Sequence, residues 1–300
     1  MSTIETASPI EKKVSEKKSF LEKADDAVDI LRRNRSLFEL KRSGATTKQA
    51  IETTALDLSE SDDQNLTESE KNLFGVIAHL GSFVTSDRVI EEIIEESEGQ
   101  RLSRDDYDEV AYRKTHDLIP FNHALKELIN TDSSSTKDQL DAGLTRLYMR
   151  LYYPDDPLVR QADVYDMHDQ KLMRQISGDV LARISNNSNG MRHEIAAESM
   201  LAALGYHYEY EISPEEDSHG IDMYVYIDDA WVSIDVKSTQ MSAEKELTKR
   251  KKSHAVWTGL EQADFKGAKG DQVNGTRIPF DIAYSHADSF VNRIRAVAQR

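Results

Sequence analysis

Four charged side chains in the last third of the chain have the types and spacing of a hydrolytic metal site. Asp222 precedes Asp235, Lys237 follows Asp235 by two positions, and Glu194 lies upstream in an acidic segment. Mg²⁺ favours a couple of carboxylates completed by water and phosphate oxygens. A lysine ammonium beside such an ion can orient an attacking water or help to deprotonate it. The set predicts metal-assisted hydrolysis of a phosphodiester, with Mg²⁺ or Mn²⁺ as cofactor.

Two strands must bring the aspartates together. Residues 221–227 and 231–237 alternate strictly between apolar and polar side chains, which predicts two half-buried strands. Asp228-Asp229 between them predicts a tight turn. If the loop consists of those two residues, Ile227 pairs with Ala230.

Counting outward from that turn places Asp222 opposite Asp235. Asp222, Asp235 and Lys237 then share one face of the sheet. A slip of one residue would separate the carboxylates, so the expected site depends on the turn. The opposite face is apolar and carries Ile221, Met223, Val225, Ile227, Val232, Ile234 and Val236.

The upstream glutamate lies in a predicted helix over residues 191–204, which Gly205 ends. Glu194 and Glu198 are four positions apart, so they lie on one helix face, one turn from each other. Residues 206–212 are rich in aromatic side chains and predict a strand, and residues 213–218 have the composition of a loop.

The distribution of charge fits such a site better than the net value does. The formal charge of −16 disfavours a general nucleic-acid coat. However, residues 191–236 carry 1 basic and 11 acidic side chains, whereas residues 237–300 carry 12 basic and 7 acidic ones. An acidic patch followed by a basic segment suits a site that holds cations and then grips phosphate. For the N-terminal part we favour the alternative of a solvated acidic surface.

A basic cluster follows the candidate site and consists of Lys245, Lys249, Arg250, Lys251 and Lys252. It would either contact the DNA backbone or form a solvated helix face, and its position beside the acidic patch favours DNA contact.

His219, Trp231 and Trp257 are interpreted as loop or packing residues.

In chain order, Glu194, Gly220-Ile221-Asp222 and Asp235-Val236-Lys237 resemble the PD-(D/E)xK nuclease superfamily. The nearest members are Mrr-like restriction endonucleases and archaeal Holliday-junction resolvases. Both have a glutamate early in a helix that ends at a glycine–aromatic pair, here Gly205-Tyr206. Gly-Ile replaces the name-giving proline, and Asp235 stands where resolvases more often have Glu and Mrr-like enzymes often have Gln. The second departure leaves the subfamily open.

The resemblance implies that Asp222 and Asp235 bind metal and that Lys237 assists the nucleophilic water. It implies that Glu194 completes the site through metal or water, with Glu198 as the fallback for that role. Gln240 is a further site-lining candidate, because some relatives have a glutamine shortly after the lysine.

The fold class expected from these segments is α+β. A mainly helical region is followed by a restriction-endonuclease-like α/β domain, with a central mixed sheet flanked by helices. The boundary is predicted at the turn-rich stretch 186–190, which separates a helical domain over 24–185 from a nuclease domain over 190–300. Residues 1–23 are expected to form a flexible charged tail. Residues 278–284 predict a further strand, and residues 287–298 a terminal helix.

The helical region also weakly resembles a winged helix-turn-helix over residues 66–130. Thr67 would cap one helix that runs through Leu80, and Ser86 would cap a second helix over 87–96. An ordinary pair of packed helices explains the same residues and is favoured about two to one.

Other sequence features narrow the class of protein. There are no cysteines, which excludes disulfides, thiolate zinc sites and cysteine nucleophiles. The N-terminus is polar and no run of eighteen apolar residues occurs, so we expect a cytoplasmic protein without a membrane segment. The predicted function is that of an endonuclease acting on double-stranded or branched DNA, and a homodimer is among the assemblies that we consider. The alternatives are a non-catalytic DNA-binding regulator and a structural helical protein with a degenerate nuclease-like domain.

Overall fold

The computed structural model describes residues 18–97, 101–132, 135–154, 170–210, 212–247, 253–265, 272–273, 276–277 and 280–299. The fold is α+β: a mainly helical part is followed by a small mixed sheet with helices packed on it. The apolar core is continuous through both parts, from Phe20 near the start to Val297 near the end.

Three short helices begin the described chain, each with a polar side chain capping its first turn. They are α1 (Phe20–Arg33), α2 (Arg35–Arg42) and α3 (Thr47–Ser59). Ser19 and Thr46 form capping boxes with the residues three positions later, and Asn34 caps α2. The flexible tail was therefore predicted too long, because the Ser19 cap starts a helix inside residues 1–23.

A single 29-residue helix, α4 (Glu68–Glu96), occupies the segment predicted as a helix-turn-helix. Thr67 caps it as predicted, but no turn interrupts it at Gly81, and Ser86 is buried inside it and donates a hydrogen bond to Asp117. The small residue at Gly81 serves close helix packing against Tyr152 instead of a turn. The described residues between 66 and 130 contain no strand that could form a wing.

The same helix tests the expectation about membranes. Among the described residues, α4 is the one helix long and apolar enough to cross a membrane, and its most apolar window is 61% buried. A helix covered to that extent by its own protein is typical of the core of a soluble fold.

The rest of the helical part consists of α5 (Arg104–Arg113), a π-helical turn (Lys114–Leu118), α6 (Ile119–Thr131) and α7 (Lys137–Tyr152). Helix α6 packs against α4, and α7 packs against α1. Phe83 of α4 and Phe121 of α6 stack with their ring centroids 4.0 Å apart.

The predicted break at residues 186–190 was wrong, because α8 (Gln170–Ala203) runs through it as one 34-residue helix. The Asn- and Ser-rich composition serves contacts between helices. Asn187 donates a hydrogen bond to Asn122 of α6, and Ser188 donates one to Asp141 of α7. Gly205, with φ of 72°, follows the end of α8 as predicted.

Four strands form the sheet that carries the site. They are β1 (Tyr208–Glu209), β2 (Met223–Ile227), β3 (Ala230–Lys237) and β4 (His254–Trp257), in that spatial order. The pairs β1–β2 and β2–β3 are antiparallel, and β3–β4 is parallel. Of the described residues in the predicted strand 206–212, two, Tyr208 and Glu209, are in the sheet, and residue 211 lies outside the described part.

The two-residue turn was predicted correctly. Ile227 pairs with Ala230, and Asp228 and Asp229 both have positive φ, at 49° and 64°. All seven residues assigned to the apolar face are buried, at 8% exposure or less.

Three further helices complete the described chain: α9 (Pro214–Ser218), α10 (Gln240–Leu247) and α11 (Tyr284–Ala298). The loop predicted at 213–218 was wrong, because Ser213 caps α9. The prediction of a strand over 278–284 was wrong for residues 281–284, because residues 281–283 have no regular structure and α11 starts at Tyr284, whereas Phe280 is in an isolated β-bridge. The terminal helix is confirmed, with Phe290, Ile294 and Val297 buried. A short hairpin pairs β5 (Gln272–Val273) with β6 (Thr276–Arg277).

Two glycines inside long helices give opposite predictions. A Cβ at Gly81 would lie 2.8 Å from Tyr152 Cζ, whereas a Cβ at Gly190 meets nothing within 4 Å. We expect Gly81→Ala to lower the free energy of unfolding by about 1–3 kcal/mol through overpacking. Gly190→Ala should raise it by up to about 1 kcal/mol, the usual gain inside a helix.

Urea unfolding of both variants provides the measurement. Because alanine is unfavourable where a turn needs a glycine with positive φ, destabilisation by Gly190→Ala would contradict a continuous α8.

Candidate functional site

The β2–β3 hairpin brings the two aspartates close together. The strand ladder ends at the pair Met223–Ile234, and Asp222 then donates its backbone N–H to Ile234 O at 2.9 Å. Asp222 Oδ2 accepts a hydrogen bond from Val236 N at 2.6 Å, which turns the carboxylate across the end of the ladder toward β3. The prediction that Asp222 and Asp235 are neighbours is confirmed, although the regular ladder stops one residue short of pairing them.

The ionisation of Asp222 reflects this position. Burial, and then the charge of Asp235, raise the pKa of Asp222 to about 7, although Lys237 and the Val236 N–H act in the opposite direction. Asp235 is only 2% exposed, so its charge is poorly screened by water. Two such carboxylates repel each other and favour a bound cation or a proton.

Glu194 is half-buried on α8 and joins the same group. Burial and the charge of Asp222 raise the pKa of Glu194 well above its ordinary value, while the nearby Lys126 lowers it. Glu194 and Asp222 also line the same cleft, which agrees with the prediction that they belong to one site.

Lys237, at the end of β3, forms an ion pair with Asp235 Oδ1. Its side chain is 24% exposed, so the ammonium is reachable from outside while it contacts the buried carboxylate. Asp222, Asp235 and Lys237 are therefore linked by the contacts that the parity of the strands predicted.

Glu198, the predicted fallback for the role of Glu194, is buried one turn along α8 and paired with a lysine. Its side chain is 1% exposed, and Oε1 lies 2.5 Å from Lys126 Nζ on α6. Burial alone lowers the pKa of the Lys126 ammonium, but the charges of Glu198 and Glu194 outweigh that effect and raise it. The helical part thus contributes a cation to the acidic group, and this pair joins it to the α/β part.

A cleft of about 970 Å³ reaches one edge of the group, because Asp235 and Lys237 are not among the residues that line it. Glu194 and Asp222 line it on the α/β side, and Lys126 lines it on the helical side. Glu127, Glu216 and Asp217 add further acidic groups to its lining, so the cleft attracts cations.

The donor chemistry of the group fits a hard divalent cation. Among the described residues, no group of three or more His, Asp or Glu side chains is placed so that it could by itself hold a metal ion. Mg²⁺ does not require such a group, because it usually keeps several waters and takes only one or two carboxylates from the protein. Burial first, and then the charge of Asp235, raise the pKa of Asp222, and a cation beside these two carboxylates would offset both effects.

The structure does not bring the other candidates into this group. Gln240 is exposed at the start of α10 and donates to Glu244 at 2.7 Å, away from the cleft. Lys245 is exposed near the end of α10, and the other four members of the basic cluster lie outside the described residues. His219 contacts Glu215 O, and Trp231 packs edge-on against Tyr226.

Lys126 and the helical side of the cleft were missed by the sequence analysis. Lys126 lies in an ordinary amphipathic helix, with no motif and no unusual spacing to distinguish it from other surface lysines. Only the contact between α6 and α8 reveals its role.

Comparison with protein-family models, with curated proteins and with solved structures finds no match. The site is therefore interpreted from its own geometry and chemistry.

The Lys126–Glu198 pair gives a testable consequence for stability. Lys126→Met would leave the Glu198 carboxylate buried without its cation, and we expect the free energy of unfolding to fall by about 3–5 kcal/mol. Replacing both residues, as Lys126→Met with Glu198→Leu, removes the stranded charge and should restore most of that loss. Chemical denaturation of the three proteins measures both effects, and additive losses in the double variant would show that the two groups do not interact.

A second consequence concerns pH. Because the folded-state pKa of Asp222 is about 7 and the unfolded value is lower, the folded state holds this proton more tightly. The free energy of unfolding should therefore fall as the pH rises from about 4 to about 7 in the absence of divalent ions. Asp222→Asn should weaken this fall and be more stable than wild type at about pH 8, by on the order of 2 kcal/mol.

Thermal unfolding across this pH range, with a chelator present, provides the measurement. Asp288→Asn, which alters an exposed carboxylate on α11, is the matched control and should follow the wild type. If the stability of Asp222→Asn depended on pH in the same way as that of the wild type, the raised pKa could not be assigned to Asp222.

Proposed function

We propose that this protein is a metal-dependent DNA endonuclease that hydrolyses phosphodiester bonds through a PD-(D/E)xK site. The observation that carries the proposal is the convergence of Glu194, Asp222, Asp235 and Lys237 from one helix and one hairpin. These side chains are close enough to perturb one another's ionisation or to form ion pairs.

The division of roles follows from the contacts. Asp222 and Asp235 would hold Mg²⁺ or Mn²⁺, and Glu194 would contact the ion directly or through a bound water. Such an ion, when bound, polarises the phosphate and makes a bound water more acidic. Lys237, paired with Asp235 and reachable from outside, would orient the attacking water and offset charge on the phosphate.

The surroundings support the same proposal. Helices α8 and α11 pack on the mixed sheet, and their apolar residues share one core with those of the sheet. A mixed sheet flanked by helices is also the architecture that the resemblance implies. DNA as the substrate, the cytoplasm as the location and a dimer as the cutting assembly are parts of the proposal that follow from the resemblance.

We expect the purified protein to cut DNA in the presence of Mg²⁺ or Mn²⁺ and to lose this activity with a chelator. Asp222→Ala and Lys237→Ala should each reduce cleavage by at least about 100-fold, because each removes a group that acts on the reacting phosphate or water. Gel assays on linear and four-way-junction DNA measure the effect.

Matched controls alter exposed residues away from the site. Asp288→Asn and Lys41→Ala should cut like the wild type. Equal cleavage by wild type, Asp222→Ala and Lys237→Ala would indicate a contaminating nuclease and remove the proposal. Titration calorimetry with Mn²⁺ gives a readout independent of activity: wild type should bind the ion, and a variant combining Asp222→Asn with Asp235→Asn should not.

A further inference from the structure

The cleft has two walls of different chemistry. The acidic wall carries Glu194 on α8 and Asp222 at the start of the hairpin. The helical wall comes from α4 and α6 and carries Asn72, Gly75, His79, Asn122, Lys126 and Asn130. The polar members follow helical spacing, with Asn72 and His79 seven positions apart on α4 and Asn122, Lys126 and Asn130 four positions apart on α6, so each set lies along one face of its helix.

The helical wall and the α/β part are tied together beside the cleft. Lys126 Nζ lies 2.5 Å from Glu198 Oε1, and His123 Nε2 lies 3.6 Å from Asp217 Oδ2. The volume of about 970 Å³ lies within the range of pockets that enclose a small organic ligand.

Asn130 gives the helical wall a polar group without a protein partner. Its side chain is in a residue only 6% exposed, yet Oδ1 has no hydrogen-bond partner. A buried amide without a partner costs about 1–3 kcal/mol, so a ligand that supplies one is favoured. By turning about its last torsion, the amide can offer either a donor or an acceptor.

His79 and Tyr210 suit the base of a nucleotide, whereas the acidic side chains of the same cleft need a bound cation before a phosphate can approach them. The pKa of His79 is lowered by burial, so this ring is neutral and can exchange hydrogen bonds with a base. Tyr210 lines the cleft with its ring 5.5 Å from Lys126 Nζ, which places an aromatic face beside a cation. Amides, aromatic rings and single cations are the groups that recognise unpaired bases and their phosphates.

We infer that this cleft binds an unpaired nucleotide of single-stranded DNA, with its base on the helical wall and its phosphate toward Glu194 and Asp222. The direction of the phosphate rests on the proposed function. The inference narrows the substrate from DNA in general to DNA with a single-stranded stretch or end.

Gly75 allows a sharp test. It lies on the helical wall, and a Cβ there would meet Ala124 Cβ at 3.8 Å and Ser59 Cβ at 3.9 Å, which are ordinary contacts. Gly75→Ala is therefore tolerated, and because Gly75 lines the cleft, we expect the larger side chain of Gly75→Leu to take up space in it. Urea unfolding of both variants checks that each is folded before binding is compared.

The measurement is fluorescence anisotropy with a labelled oligothymidine and with a blunt duplex of the same length, with Ca²⁺ in place of Mg²⁺. Wild type and Gly75→Ala should bind the single strand at least about tenfold more tightly than the duplex, and Gly75→Leu should lose at least about tenfold in single-strand affinity. Asn130→Leu removes an amide oxygen that has no hydrogen-bond partner in the protein, so it should weaken the same binding without lowering the free energy of unfolding. Equal affinity for both DNAs, or full single-strand affinity in Gly75→Leu, would overturn the inference.

This outcome is separate from that of the proposed function. Cleavage of duplex DNA that depends on Asp222 but is unaffected by Gly75→Leu would keep the nuclease and remove the single-strand cleft. Single-strand binding that Gly75→Leu abolishes, without cleavage by the wild type, would keep the cleft and remove the nuclease.

Discussion

The mutual repulsion of buried carboxylates is the constraint on which this structure depends. Glu194, Asp222 and Asp235 are concentrated at the junction of a helix and a hairpin, where water screens them poorly. Two lysines offset them, Lys237 from the end of β3 and Lys126 from α6. Burying several like charges together lowers the free energy of unfolding, and carboxylates kept in such an unfavourable position are typical of functional sites.

The origin of the two lysines explains why the two parts of the chain are not independent. Lys237 follows Asp235 by two positions on the same strand, but Lys126 reaches the carboxylates from another helix. The helical part therefore completes the charge balance of the acidic group and forms one wall of its cleft. The residues proposed to bind the nucleotide and two residues of the proposed metal site, Glu194 and Asp222, would then line one cavity.

The hairpin was predictable and the long helices were not. Alternation over β2 and β3 fixes which side chains share a face, and Asp228-Asp229 tolerates the positive φ of a two-residue turn, so local chemistry sets the register. The expected breaks at Gly81 and at residues 186–190 failed because small and polar residues favour turns when exposed but also permit close helix packing. The pairing of Lys126 with Glu198 joins residues far apart in sequence, which local patterns cannot reveal.

The continuity of α8 has a consequence for how this protein can change over evolution. Ser188 contacts α7 and Glu194 faces the acidic group, and both are fixed to the same helical rod. Each inserted or deleted residue between them would rotate one relative to the other by about 100°. Substitutions can accumulate in this segment, but changes in its length are restricted to those that preserve the helical phase.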